Sequence, residues 1–461
     1  MSDYEGNLPW LYAGRTLRSF STAFLTVVFP LYLADRGASA TTVGLVLTLG
    51  SVISAAMMAA VGVLGDRIGR RPMLIGLGLA GAVGALALAG IGNLAVVVLA
   101  SGLGGIGRGG GAGSGGAWGP FFPAEQPLLA GSVSAEHRTR AFARLGFAGV
   151  IAASAGSLVA IVPSAMHGSH FSMVDAYRVI FLVGAVVSVG VAAVSWPLRE
   201  PRRRQRTTVV SPMPARAGGA VPPDTTAGRP DGLSVPSEPA SNLSTRQLVG
   251  RLGFTNAVNG LGFGFLGPLL TYWFHVRYGV GSAELGVLYA IVNLASALPY
   301  LGAARLTRRF GSVHTVVVTR AFSVVVLALM AVVPTFLVAS ILLALRTGLN
   351  SLGIPARQSY TMGVAEERRR GTVAALGSLP SMVTSSISPV VGGALMGAFL
   401  DTPIVGATLF MGVNTVAYYL AFRNTRPPEE RTAPGPPAGE EQAAPDVTGG
   451  APRASPGAAP G

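Results

Sequence analysis

The chain has 461 residues, of which half are apolar and only 12% are charged, roughly half the charged share of a soluble domain. The formal net charge of +14 would suit a nucleic-acid partner, but the basic residues lie in short segments between apolar runs, so we expect no nucleic acid. Cysteine is absent, which excludes disulfides and thiolate metal sites, and the five histidines do not cluster at a metal-binding spacing.

Twelve apolar segments follow one another along the chain, each close to the roughly 20 residues that a helix needs to span a bilayer. We therefore predict an all-α integral membrane protein with twelve transmembrane helices. The predicted spans are 10–34, 41–64, 73–92, 94–131, 140–163, 177–197, 252–275, 284–304, 313–333, 335–363, 371–399 and 402–422.

Two polar stretches lie outside the spans. Residues 198–245 open with a run of arginines and then become rich in Pro, Ala, Gly and Ser, and residues 426–461 are similar, with added Glu. Such compositions cannot bury an apolar core. We predict a disordered cytoplasmic linker and a disordered cytoplasmic tail, with an N-terminal six-helix half over 1–197 and a C-terminal half over 246–425.

The arginines fix an orientation. If both termini are cytoplasmic, 27 of the 34 basic residues fall on the cytoplasmic side and only Arg36, Arg178 and Arg277 fall outside. Positive charge collects on the inner face of membrane proteins. We predict a multi-pass protein of a bacterial inner or plasma membrane, with both termini inside the cell.

The two halves resemble each other at fixed offsets, which indicates a duplicated six-helix unit with a substrate site between the copies at mid-depth. Ten extra residues in the first half fall in the glycine-dense tract 104–119, where we expect a kinked or broken helix. The matches are Gly44, Arg67 and Gly69 with Gly286, Arg309 and Gly311, all 242 apart, and residues 123–126 with 355–358, 232 apart.

Residues 62–74, here called the motif loop, read GVLGDRIGRRPML between the second and third spans. This loop resembles motif A of the major facilitator superfamily, and the resemblance extends over residues 10–422. The positions that match the motif are Gly62, Asp66, Arg67, Gly69, Arg70 and Arg71.

The resemblance implies two pseudo-symmetric six-helix bundles that work as a secondary transporter, without a cofactor and with a proton gradient as energy source. It also implies that Asp66 and Arg70 belong to a latch that locks the halves in the outward-open state. The alternative is that the arginines only anchor the loop, above all Arg71. Arg308 stands at the repeat position of Asp66, so the second-half latch is degenerate.

Charged residues at bilayer depth are functional candidates by default, since burying a charge in lipid is costly. Arg108 and Arg346 occupy related places in the fourth and tenth spans, where an arginine could orient an anionic substrate or bond to backbone carbonyls. Glu125 is the acid placed well within a span, and its repeat partner is Arg357. Two readings stay open: Glu125 carries protons, or it pairs with Arg357 across the halves.

Polar side chains in the cavity-lining spans complete the candidate site, for which we expect a small-molecule substrate, a lipid bilayer and a monomeric protein. No enzyme motif is present in a supporting context. We expect proton-coupled efflux of a drug-like or amphipathic compound; the alternatives are transport of an anionic metabolite and a transporter-like sensor or scaffold. The further candidate contacts are Gln126, Asn256, Asn259, Tyr272 and Asn350.

Overall fold

The computed structural model describes residues 5–105, 119–133, 135–167, 172–200, 245–267, 269–364 and 370–423. The predicted linker and tail lie almost wholly outside these ranges. The described helices are α1 (Leu8–Asp35), α2 (Ala40–Ile68), α3 (Arg70–Gly90), α4 (Leu94–Leu103), α5 (Phe122–Gly131), α6 (Ala135–Leu158), α7 (Val162–His167), α8 (Met173–Ser195), α9 (Thr245–Leu266), α10 (Leu270–Tyr278), α11 (Ser282–Phe310), α12 (Ser312–Val332), α13 (Phe336–Val364), α14 (Arg370–Met396) and α15 (Thr402–Phe422).

Each predicted span corresponds to one helix or to two consecutive helices, so the all-α membrane architecture is confirmed. In the described part of the chain, nine helical segments are long and apolar enough to cross a bilayer, and one of them, Ala141–His167, runs through α6 and α7. Three spans contain two α-helices each: the fifth consists of α6 and α7 joined by the short 3-10 helix Val159–Ile161, the fourth is divided into α4 and α5, and the seventh is divided into α9 and α10. The break in the fourth span falls in the glycine tract, of which residues 106–118 lie outside the described ranges.

Local sequence explains where several helices begin. Ser39 caps α2 by accepting a hydrogen bond from the Thr42 amide, and Ser172 caps α8 by accepting one from the Asp175 amide. Gly69 precedes α3 with φ +114°, and Gly311 precedes α12 with φ +77°, a backbone region that favours glycine. These two glycines are 242 residues apart, so the duplicated turn keeps its conformation.

The packing pattern of the first six spans recurs in the last six. In the N-terminal half, α1 packs on α6 and α8, and α3 packs on α8; in the C-terminal half, α9 packs on α14 and α15, and α12 packs on α15. The halves meet through α2 against α14 and α6 against α11, which are equivalent pairs under the repeat. The structure is therefore two copies of one bundle related by pseudo-symmetry.

The halves join tightly at one end, here called the closed end, which carries the turns at 36–39 and 279–281. A Cβ at Gly44 would lie 3.1 Å from the Cα of Gly393, and one at Gly286 would lie 2.7 Å from the Ser157 carbonyl oxygen. Backbones approach this closely only where side chains are small. Hydrogen bonds between described residues cross the same seam, among them Ser154 to the Ala290 carbonyl at 2.7 Å, Ser164 with Ser282 at 3.0 Å and Asn293 to Ser157 at 3.4 Å.

The opposite end, here called the arginine-rich end, carries the motif loop, Arg199, Arg251 and Arg423. One large apolar core spans both halves, and it includes Phe29 of the first half and Trp273 of the second. Towards the arginine-rich end two smaller cores lie in separate halves, one around Leu77 and one around Val316. The described core is thus continuous at the closed end and divided at the other.

Candidate functional site

A cavity lies between α1 of the first half and α9, α10, α11 and α13 of the second. It sits beside the break in the seventh span, where non-helical backbone at membrane depth can line a cavity. Arg346 lies ten residues into α13, about 15 Å along the helix axis, so the cavity is near mid-depth. Its lining residues are Thr26, Phe263, Leu266, Gly267, Leu270, Tyr289, Leu343, Arg346, Thr347 and Asn350.

Arg346 is the charged residue of this lining, and it is only 7% exposed. Its Nη2 lies 3.3 Å from the Sδ of Met411 on α15. Its Nε has no hydrogen-bond partner among the described residues. The lining contains no carboxylate, so the cavity presents one guanidinium to whatever enters, in surroundings where a charge interaction is weakly screened.

The register of α13 brings the predicted residues together. Leu343, Arg346 and Asn350 are spaced by three and four residues, so they share one helix face, and all three line the cavity. The neutral hydroxyls nearby are already engaged: Thr347 donates to the Leu343 carbonyl at 2.8 Å, and the Tyr289 hydroxyl is 3.0 Å from that of Thr271. Arg346 is therefore the charged group of the lining with a donor left over, its Nε.

Glu125 forms a second polar cluster with two arginines of α1. Its Oε1 lies 3.6 Å from the Nη1 of Arg15, and its Oε2 accepts a hydrogen bond from Arg18. Arg18 also lies over the Phe121 ring, 4.6 Å from the centroid. Arg15 and Glu125 are each 3% exposed, so this is a buried triad in the N-terminal half.

Glu125 and Arg357 do not pair in this structure. Arg357 instead donates to the side-chain oxygen of Asn256, whose amide donates to the Gly377 carbonyl at 2.8 Å. Both clusters join the first and fourth spans of their own half, because α1 and α5 are equivalent to α9 and α13. In this structure Glu125 and Arg357 are therefore each contacted within their own half, and these duplicate positions do not meet across the pseudo-symmetry axis.

The motif loop is held by the chain just after α8. The Arg71 amide donates to the Glu200 carboxylate, and the Arg71 guanidinium lies 5.5 Å from the centre of the Trp196 ring. A side chain at Gly69 would also meet the Glu200 carboxylate. Arg71 thus anchors the loop within its own half, which is the simpler of the two roles considered for it.

The other motif positions carry less structural information. Arg67 is exposed and Arg70 is partly buried. A Cβ at Gly62 would make only ordinary van der Waals contact, at 3.9 Å, with Pro123, so close approach does not require glycine there. Asp66 lies in α2, but its side chain is outside the described part of the structure, and the latch stays a prediction.

Several predicted residues are not among the described residues that line the cavity. Arg108 lies outside the described ranges. Gln126 and Asn259 are partly buried, without a side-chain hydrogen bond among the described residues, and Tyr272 packs on the edge of the shared core. Sequence reasoning missed Arg15 and Arg18, which it counted only among the 27 cytoplasmic arginines, and it missed the apolar lining residues.

Comparison with known proteins settles the family. The sequence profile described as Major Facilitator Superfamily matches residues 11–231 and 252–456. The chain belongs to the major facilitator superfamily. It is a multi-pass membrane transporter by family and fold. No curated protein matches the chain significantly.

Solved structures share this superfamily member's fold at low sequence identity. A bacterial homologue of the human lysosomal transporter Spinster, in an inward-facing and unoccupied conformation, is 15% identical, with TM-score 0.65 over 92% of this chain and 98% of that one. The nucleoside transporter NupG is 11% identical, with TM-score 0.62 over 92% and 99%. A bacterial homologue of the iron transporter ferroportin, in an inward-facing state, is 14% identical, with TM-score 0.62 over 91% and 99%. The last two are named for different substrates, a nucleoside and iron, so the likeness concerns the fold alone.

Proposed function

We propose that this transporter moves small organic anions that carry an apolar body. The observation that carries the proposal is Arg346, a buried guanidinium with an unused Nε, in a cavity otherwise lined by neutral and apolar side chains. A carboxylate would pair with Arg346. Phe263, Leu266 and Leu343 would cover an apolar body, and burying its surface would contribute free energy in proportion to its area.

The direct test compares three probes with one phenylpropyl body: the carboxylate, its amide and the matching amine. Binding to purified protein is measured by calorimetry. We expect the carboxylate to bind most tightly. Arg346→Gln should weaken its binding by about 1.5–3 kcal/mol, the range for a hydrogen bond to a charged group, while leaving the amide unchanged.

Arg346→Lys is the matched control, because it keeps the charge and loses the planar fork. It should retain part of the preference for the carboxylate. Equal binding of all three probes to the unmodified protein, or carboxylate binding that survives Arg346→Gln, would rule the proposal out.

Efflux of drug-like amphipathic compounds is the second candidate, and the apolar lining around Phe263 and Leu270 favours it. The charge of Arg346 gives a way to distinguish the two candidate functions. A lipophilic amine should be repelled by Arg346, whereas an acid of equal size should not. Accumulation of both compounds in cells that lack or overproduce the protein would decide between them and give the direction of transport.

We also propose that both termini lie in the cytoplasm of a bacterial inner or plasma membrane, since the arginine-rich end then obeys the positive-inside bias. The closed end would face outwards, and the structure would be open towards the cytoplasm. Labelling of single cysteines placed at exposed Arg67 and at Ala38 in intact cells tests this, because an impermeant reagent should reach only position 38.

Proton coupling is a further proposal, and Glu125 is the buried carboxylate on which to test it. A proton bound there would remove the anion that Arg15 and Arg18 both contact, and so would loosen α1 from α5. In proteoliposomes with an internal pH dye, Glu125→Gln should abolish substrate-driven proton movement. Unchanged coupling would exclude Glu125 as the carrier.

A further inference from the structure

Met411 provides the described polar contact of the cavity arginine. The Nη2 of Arg346 donates towards its thioether sulfur at 3.3 Å. A thioether is a weak acceptor, and the Arg346 Nε has none within the described residues. The guanidinium is therefore oriented by a partner that satisfies it poorly.

The position of Met411 is itself fixed by the packing of α15 on α9. A Cβ at Gly262 of α9 would lie 2.8 Å from the Met411 Cγ and 3.3 Å from its backbone nitrogen. Only glycine at position 262 leaves room for the Met411 side chain, which packs directly against the α9 backbone there. The Thr415 hydroxyl donates to the Met411 carbonyl at 2.8 Å, a bond within α15.

The side-chain amide oxygens of α15 and α9 are stronger acceptors than a thioether, but they bond to other arginines. The Asn414 side-chain oxygen accepts from Arg320, and its amide donates to the Thr255 carbonyl. The Asn256 oxygen accepts from Arg357. Buried arginines in this half thus pair with amide oxygens at two places, and the arginine in the cavity pairs with sulfur.

We propose that Met411 is a specificity-determining residue: as a weak acceptor beside Arg346, its thioether leaves the guanidinium available to a substrate anion. The inference rests on the proposed function and deepens it. A substrate carboxylate that binds Arg346 replaces only the weak contact with the Met411 sulfur, so breaking that contact costs little free energy. An amide or carboxylate at position 411 would satisfy Arg346 internally and compete with the substrate, so residue 411 sets how strongly the cavity selects anions.

The test measures binding of phenylpropionate and of its amide to the full chain carrying Met411→Leu, Met411→Gln or Met411→Glu. Leucine preserves the volume and removes the sulfur, so the carboxylate affinity should change less than about threefold, in line with the small cost of a volume-conserving swap. Glutamine should weaken carboxylate binding about tenfold and glutamate about a hundredfold, the range of a hydrogen bond to a charged group. The amide affinity should stay constant in all three.

The ratio of carboxylate to amide affinity is the deciding readout, because a purely structural role would move both affinities together. If Arg346→Gln lowers that ratio but Met411→Gln does not, the role of Met411 is overturned and the anion proposal stands. If Arg346→Gln leaves the ratio unchanged, the proposed function itself fails. If the glutamate variant does not fold, the glutamine variant decides alone.

Discussion

At the scale of single residues, the buried charges are arranged as local sets. Arg15 and Arg18 set two cations against the one carboxylate of Glu125, and the Arg15 Nε has no hydrogen-bond partner among the described residues. Removing one member of a buried ion pair is more damaging than never having the pair, since the other charge is left in a low dielectric. Glu125 therefore stabilises the N-terminal half by neutralising α1.

We predict that Glu125→Gln destabilises the protein by about 3–5 kcal/mol, the usual loss when a buried pair is broken. The melting temperature in detergent, followed by intrinsic fluorescence, measures the change. Adding Arg15→Met to the variant should restore part of the stability because it removes an orphaned cation. Arg144→Gln, at an exposed arginine of α6, is the control. A Glu125→Gln protein as stable as that control would contradict the account.

From the sequence, candidate site residues were recognised by their charge or polarity, so only charged and polar lining residues could be predicted. Arg346 and Asn350 stand out in an apolar span, and the structure places both in the cavity. Met411, Phe263 and Leu343 do not stand out, because an apolar residue that lines a cavity looks the same as one that faces lipid. The burial of Arg15 was missed for another reason. Arg15 lies near the start of α1, where arginines ordinarily anchor a helix at the membrane interface.

At the scale of helices, the repeat-related glycines Gly44 and Gly286 set how closely the halves approach. Gly44 starts the contact of α2 with α14, and Gly286 starts the equivalent contact of α11 with α6 and the turn after it. Sequence comparison paired these two glycines, but it could not tell that both contact the opposite half. The glycine tract predicted the break in the fourth span, but hydropathy could not locate those in the fifth and seventh spans, because a broken helix remains equally apolar.

We predict that Gly44→Ala and Gly286→Ala each open the closed end, because the new methyl group would meet backbone that cannot move aside. Maleimide labelling of a cysteine introduced at Ser164 in the closed seam reports the opening, and its rate should rise severalfold. Gly76→Ala is the control, since a Cβ at Gly76 has nothing within 4 Å. Labelling rates equal to the control would show that the glycines do not limit the contact.

At the scale of the whole molecule, the core is shared at the closed end and divided at the arginine-rich end, as expected for one of the two conformations of a transporter that alternates. In a transporter that alternates, the contacts of α2 with α14 and of α6 with α11 must separate during each cycle. The lengths of the apolar segments predicted the number of spans, and residue matches at fixed offsets predicted the duplication. Which end is closed depends on contacts between residues that are far apart in the sequence, and a local sequence pattern does not predict such contacts.

We predict that joining Ser164 and Ser282 by a disulfide stops transport. Their hydroxyl oxygens are 3.0 Å apart, which is close enough for a cysteine pair to be tried at these positions. The chain has no cysteine of its own, so the pair would be its only thiols. Uptake should fall to background on oxidation and return with a reductant, whereas each single variant should be indifferent to both. Full activity in the oxidised double variant would mean that this seam never opens.

The division of the apolar core also has a consequence for how the protein comes apart. Helix segments around Phe29 and Trp273 are covered by both halves, while those around Leu77 and Val316 are covered by one half only. Amide hydrogen exchange follows such differences in local stability. The segments at the closed end should exchange slowest and together, as one cooperative unit made from both halves. The segments at the arginine-rich end should exchange faster, and those of each half should exchange independently.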